Sequence, residues 1–119
     1  MFRWLFGNRR ASEPAAAVAG APSIEEALGH HRAGRLAEAD ALYRRILESD
    51  PANIDAAHFL GVLAYQRGDL AQAAERISAA LARNPANAPA QNNLGNVLDA
   101  QGRHDDALRC YLEALALEP

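Results

Sequence analysis

Lysine is absent from this chain of 119 residues, and cysteine, methionine and tryptophan occur once each. Twelve basic residues, all arginine, stand against fifteen acidic ones for a net charge of -3. They are scattered among the acids rather than gathered into a stripe, so nucleic acid is not expected as a partner. The lone Cys110 cannot close an internal disulfide, and with no Cys or His cluster beside it a zinc site is unsupported. No apolar run approaches the roughly 18 residues that cross a bilayer, and the N-terminus lacks the greasy stretch and cleavage site of a secretory signal. The expected compartment is therefore the cytoplasm. Phe, Trp and Tyr reach only 6%, while alanine and leucine supply most of the apolar half, a composition that favours helices over sheets. The length suits one domain.

What is present is periodic. Residues 1–22 read as tail plus linker: MFRWLFGNRR, then an Ala/Pro/Gly/Ser/Glu stretch without apolar periodicity. Residues 23–119 read as the folded part. There Pro51, Pro85 and Pro119 recur every 34 residues, as do Gly34, Gly68 and Gly102, Ala39, Ala73 and Ala107, and Leu47, Leu81 and Leu115. Glycine and proline are scarce enough that their shared phase is not a product of composition. The units run about 20–53, 54–87 and 88–119. Asn53 and Asn87 stand where an N-cap is wanted, Ser23 with Glu26 forms a capping box, and the three glycines fall where a left-handed turn ends a first helix. The pattern predicts helices over 23–33, 37–49, 54–67, 71–83, 88–101 and 105–117.

These positions resemble the tetratricopeptide repeat, a 34-residue helix–turn–helix unit. In that family a small residue on the first helix, here Ala27, Gly61 and Gly95, meets small residues on the second, here Ala39, Ala73 and Ala107. Tyr43, Ile77 and Tyr111 take the larger positions that fill the gap to the next unit. The resemblance implies an all-α, right-handed α-solenoid of three repeats and six helices, and a non-catalytic scaffold that binds a protein or peptide in its concave groove. More narrowly, HHRAGRLAEADALYRRILESDPANIDAAHFLGVLAYQRGDLAQA is similar to the opening repeats of bacterial proteins related to O-linked N-acetylglucosamine transferase. That likeness also allows a targeting or substrate-recognition segment of a larger enzyme, such as a glycosyltransferase.

The groove candidates are first-helix residues beyond those needed for packing. In the second unit Phe59, Val62, Tyr65 and Gln66 make a second stripe beside Leu60, Gly61, Leu63 and Ala64. The equivalents are Ile24, Leu28, His31 and Arg32 in the first unit, and Asn92, Asn93, Asn96, Asp99 and Ala100 in the third. Asparagine carries donors and an acceptor, so a ladder of them can bond the backbone of an extended peptide whatever its sequence. The alternative is that Phe59, Val62 and Tyr65 pack against neighbouring helices and the asparagines are merely solvated. Family members that grip two carboxylates use inward basic residues and asparagines. Ile24, Leu28, Phe59 and Pro89 stand there instead, so no carboxylate clamp is expected.

Elsewhere the chemistry is thin. His30 and His31 point about 100° apart on a helix, poor geometry for one metal. His104 sits in a turn where Leu36 and Leu70 occupy the other units, and Cys110 has no evident activator. No catalytic residue, cofactor or metal is expected. Phe2, Trp4, Leu5 and Phe6 with Arg3, Arg9 and Arg10 are candidates for weak membrane contact, for docking on a protein surface, or for no fixed structure. Leu108, Tyr111, Leu112 and Leu115 on the last helix form a candidate patch for pairing with a second copy as a homo-dimer.

Overall fold

The computed structural model describes residues 22–118. Six helices account for nearly all of them: α1 (Ile24–Arg32), α2 (Leu36–Ser49), α3 (Ile54–Gln66), α4 (Leu70–Arg83), α5 (Ala88–Ala100) and α6 (His104–Leu117). Each boundary lies within a residue or so of the periodic prediction because the local signals are made as the spacing demands. The Ser23 hydroxyl accepts from the Glu26 N–H at 3.1 Å, Asn53 Oδ1 from Ala56 at 2.9 Å and Asn87 Oδ1 from Ala90 at 3.1 Å. Asp69 does the same for α4 through Gln72. Gly34, Gly68 and Gly102 end the first helices with φ near +80°, a left-handed geometry that a Cβ would strain.

Each helix packs on the one before and the one after it, so the pairs α1/α2, α3/α4 and α5/α6 stack into an α-solenoid. Within a pair the approach is close. A Cβ on Gly61 would lie 2.6 Å from Ile77 Cγ1 and 3.3 Å from the Ala73 carbonyl oxygen, and one on Gly95 would lie 2.6 Å from Tyr111 Cε1. Two clusters form the interior. One joins Ala27, Leu28, Tyr43, Ile46, Phe59, Leu60, Val62 and Leu63 across the first three helices; the other joins Ala64, Ala73, Ile77, Leu81, Ala90 and Val97 further along. The first helices α1, α3 and α5 meet one another only sparsely. They therefore form a layer whose far side is turned from the second helices. No described helix is long and apolar enough to cross a membrane.

Candidate peptide-binding groove

Helical arithmetic on α3 places the candidate groove residues. Gly61 faces α4. Measured from it, Asp55, Phe59, Val62 and Gln66 project about 100° to 160° to one side, a single i, i+4, i+7, i+11 stripe. Leu60 and Leu63 turn the opposite way, into the cluster with Tyr43 and Ile46 of α2. The stripe thus points away from α4, while Phe59 and Val62 still share the cluster of Tyr43 and Ile46 on α2. The same rows, 34 residues apart, are Glu25, Leu28 and Arg32 on α1, and Pro89, Asn93, Asn96 and Ala100 on α5.

The groove residues expected from sequence divide into two groups. Leu28, His31, Phe59, Val62 and Asn93 are buried, Phe59 and Val62 to 2% and 1% exposure. They are a floor rather than open contacts, and for Phe59 and Val62 the packing alternative describes their state. The Phe59 ring stacks on His58 at 4.9 Å and on Tyr43 at 6.2 Å between centroids, an apolar and aromatic seat that costs no buried polar group. Ile24, Tyr65, Asn92 and Asn96 are half-buried, and Gln66 and Asp99 are exposed. These six remain open to a ligand.

Polar side chains tie successive repeats together beneath the groove. The Tyr43 hydroxyl donates to His31 Nδ1 at 2.7 Å, which leaves His31 Nε2–H to donate to Gln66 Oε1. The Asn93 amide donates to His58 Nε2 at 3.0 Å. Both links span 35 residues, one more than the repeat, so each runs from a first helix to the first helix of the next unit. Burial holds His58 well below its ordinary value, at about 4, and holds His31 below its own. Both imidazoles are neutral at pH 7 and act as hydrogen-bonding spacers rather than cations. Burial also pushes the Tyr43 hydroxyl up, so it stays protonated as a donor. Sequence reasoning passed over His58. Its signal was its offset from Asn93, which equals that of His31 from Gln66.

In the third unit Asn96 Oδ1 accepts from the Tyr111 hydroxyl at 2.8 Å, leaving the Asn96 amide hydrogens available. His104 bonds Asp99 at 2.6 Å across the turn, and Arg35 donates to His30 at 2.8 Å in the equivalent turn of the first unit. Each of these histidines bonds across the turn that joins the two helices of its unit. Burial, with Asp106 and Glu113 nearby, pushes the Cys110 thiol up and keeps it protonated. Among the described residues no group of His, Cys, Asp and Glu is arranged to hold a metal. The N-terminal candidates Phe2, Trp4, Leu5 and Phe6 lie outside the described residues.

Comparison with known proteins points the same way. Tetratricopeptide repeat family profiles match residues 60–119 and 30–79. Tetratricopeptide repeat protein 7A of Homo sapiens is 35% identical over 85 residues, which is 71% of this chain and 10% of that protein. Type IV pilus assembly protein PilF of Pseudomonas aeruginosa is 34% identical over 91 residues, 76% of this chain and 36% of that one. Among solved structures, a mutant O-GlcNAc transferase from Thermobaculum terrenum superposes with a TM-score of 0.79 at 32% identity, covering 81% of this chain and 18% of that one. The chain thus spans from a tenth to little more than a third of the length of these proteins.

Proposed function

The chain belongs to the tetratricopeptide repeat family, and on that premise we propose that residues 23–119 are a non-catalytic scaffold holding an extended protein segment along α1, α3 and α5. The observation that supports this reading is a set of polar groups on α3 and α5 that keep exposure: Tyr65 and Gln66, then Asn92, Asn96 and Asp99. One period before Asn92 and Asn96 stand the buried His58 and Val62, whereas the two asparagines stay half-open. Asn92 and Asn96 can bond successive peptide groups of an extended chain, which fixes its path without reading its sequence. Asp99 and Asp55 favour a segment carrying a basic side chain. A short groove must overcome the ordering entropy of its ligand, so affinity should be on the order of micromolar. An array of unrelated 12-residue peptides free of proline tests this with the intact chain. Many should bind weakly, basic ones best, and the double substitution Asn92→Ala with Asn96→Ala should lower capture about tenfold, the loss of roughly one net hydrogen bond. Equal capture by the variant would refute the groove.

A second reading rests on α6. Leu108, Leu112 and Leu115 are 55%, 56% and 56% exposed and share one helical stripe. The residues one and two periods before Leu112 are Ser78 and Arg44, which stay exposed although a repeat is stacked beside them. An apolar residue at that position is not explained by stacking alone and favours self-association through α6. Light scattering over a range of concentrations tests it, with Leu112→Glu expected to shift a dimer to monomer and a concentration-independent monomer counting against it.

A further inference from the structure

The two ends of the stack are built differently. On α3 and α5 the face that meets the preceding repeat carries Leu60 and Leu63, then Leu94 and Val97, all packed into or against the interior clusters. One period earlier α1 has Glu26 and Gly29 at the first two of these positions, both exposed, and a Cβ on Gly29 would meet nothing within 4 Å. The α1 end therefore offers a carboxylate and bare backbone where the inner repeats offer leucine. The α6 end does the reverse. Among the described residues the large apolar side chains left exposed all lie on α6: Leu108, Leu112 and Leu115 along one stripe, and Leu117.

This polarity restricts how copies can meet. Head-to-tail stacking would press the leucines of one copy onto Glu26 and Gly29 of the next, whereas the α6 stripe finds its apolar match on a second α6. Pairing of like with like closes at two copies. A repeat stacked on α6 in the way α3 stacks on α2 would cover Leu115, whose counterparts Leu47 and Leu81 pack with the interior clusters. It would leave Leu112 in water, as Arg44 and Ser78 are left.

Charge fixes the direction of the pairing. Arg109 and Glu113 each follow a stripe leucine by one residue, so both lie about 100° round the helix on the same flank, one turn apart. The Arg109 side chain is 79% exposed, with Nη1 3.6 Å from Asp106 Oδ1, and Glu113 is exposed beside it. Two parallel α6 helices would set Arg109 beside Arg109 and Glu113 beside Glu113 of the second copy. Antiparallel helices related by an axis at Leu112 set Leu108 beside Leu115, Leu112 beside itself and Arg109 beside Glu113, twice over. Asp105, nearer the stripe, falls opposite the last turn of the second helix, outside both pairs. The opposed helix dipoles favour the same direction.

We propose that this chain forms a closed two-fold dimer through antiparallel α6 helices, with Leu112 at the axis and Arg109 paired to Glu113 of the second copy on each side. This rests on the self-association reading above and gives it a direction and a register. One helix pair buries less than the roughly 1,200 Å² at the lower edge of stable interfaces, so the dissociation constant should be on the order of 10 µM.

Sedimentation equilibrium of the intact chain, from well below to well above that concentration, tests the pairing through charge. Arg109→Glu and Glu113→Arg should each weaken the dimer about tenfold, since each sets two like-charged pairs across the interface. An equimolar mixture of the two variants should recover the wild-type affinity, because the reversed charge on each copy then meets its opposite on the other. Mixing mends no contact within a helix, so recovery reads the pairing between copies even if one reversal lowers helicity. A parallel pair would instead leave each variant like wild type and make the mixture tighter than wild type. That result overturns the antiparallel register while leaving self-association standing. So does a dimer dispersed by Leu112→Glu but indifferent to both reversals and to their mixture. Species that grow beyond two copies with concentration overturn the closed pair, and a wild-type chain that stays monomeric throughout overturns both the register and self-association.

Discussion

The second and third repeats place different chemistry on one backbone. Position for position, Val62 is matched by Asn96, His58 by Asn92 and Tyr65 by Asp99. In the second repeat the first two are dry; in the third their counterparts are half-open. On the inner stripe Phe59 and Asn93, also one period apart, are both buried. The solenoid therefore needs little from these positions in order to stand. Its geometry comes from Gly61 and Gly95, the alanines opposite them and the left-handed glycines at the turns. That leaves the inner stripe free to be a greasy floor in one repeat and an amide ladder in the next.

The difference can be broken hardest at Phe59. Replacing it by Ala should cost about 3–5 kcal/mol in urea unfolding, as for other large buried aromatics. Acid should break it next. His58 titrates at about 4 in the fold and near 6.5 when unfolded, so between those values only the unfolded chain takes up the proton. Stability should be full above pH 6.5 and fall as pH drops toward 4, by up to about 3 kcal/mol. His31, also lowered by burial, adds in the same direction. For Asp40, burial pushes the carboxyl up but the bonds from Arg44 and Arg67 more than reverse this, so it titrates below that window. Thermal melts at about pH 7 and about pH 4.5 should separate widely for wild type and draw closer for His58→Gln.

The paired glycines sharpen the contrast. Gly61→Ala drives a methyl to 2.6 Å from Ile77, which is fully buried, and should cost about 1–3 kcal/mol. Gly95→Ala meets Tyr111 at a similar distance, but that ring is half-exposed on the last helix and can swing aside. Its cost should be smaller, and equal losses would show that the end of the stack is as rigid as its middle. The smallest effect belongs to Asn92→Ala, within about 0.5 kcal/mol in stability because the side chain is only half-buried. Binding should register it all the same.

Most of the fold was legible because glycine, proline and capping residues act locally. Gly34, Gly68 and Gly102 require a left-handed turn whatever surrounds them, and Asn53 and Asn87 each cap the helix they precede. The groove was legible only in part. Periodicity placed Phe59 and Asn93 on the inner stripe, but whether a stripe is open or covered depends on atoms contributed from elsewhere, which spacing does not encode. His58 shows the same limit from the other side. Its role shows only once its partner 35 residues on is seen to absorb its hydrogen bond.

Amide chemical shifts test the central claim most directly, by comparing the intact chain alone with the chain in excess of a basic, proline-free 12-residue peptide. Differences confined to the inner positions of α1, α3 and α5, largest around Phe59, Val62 and Asn96, are the predicted result. Differences centred on Leu108, Leu112 and Leu115 of α6, or none at all, would contradict it.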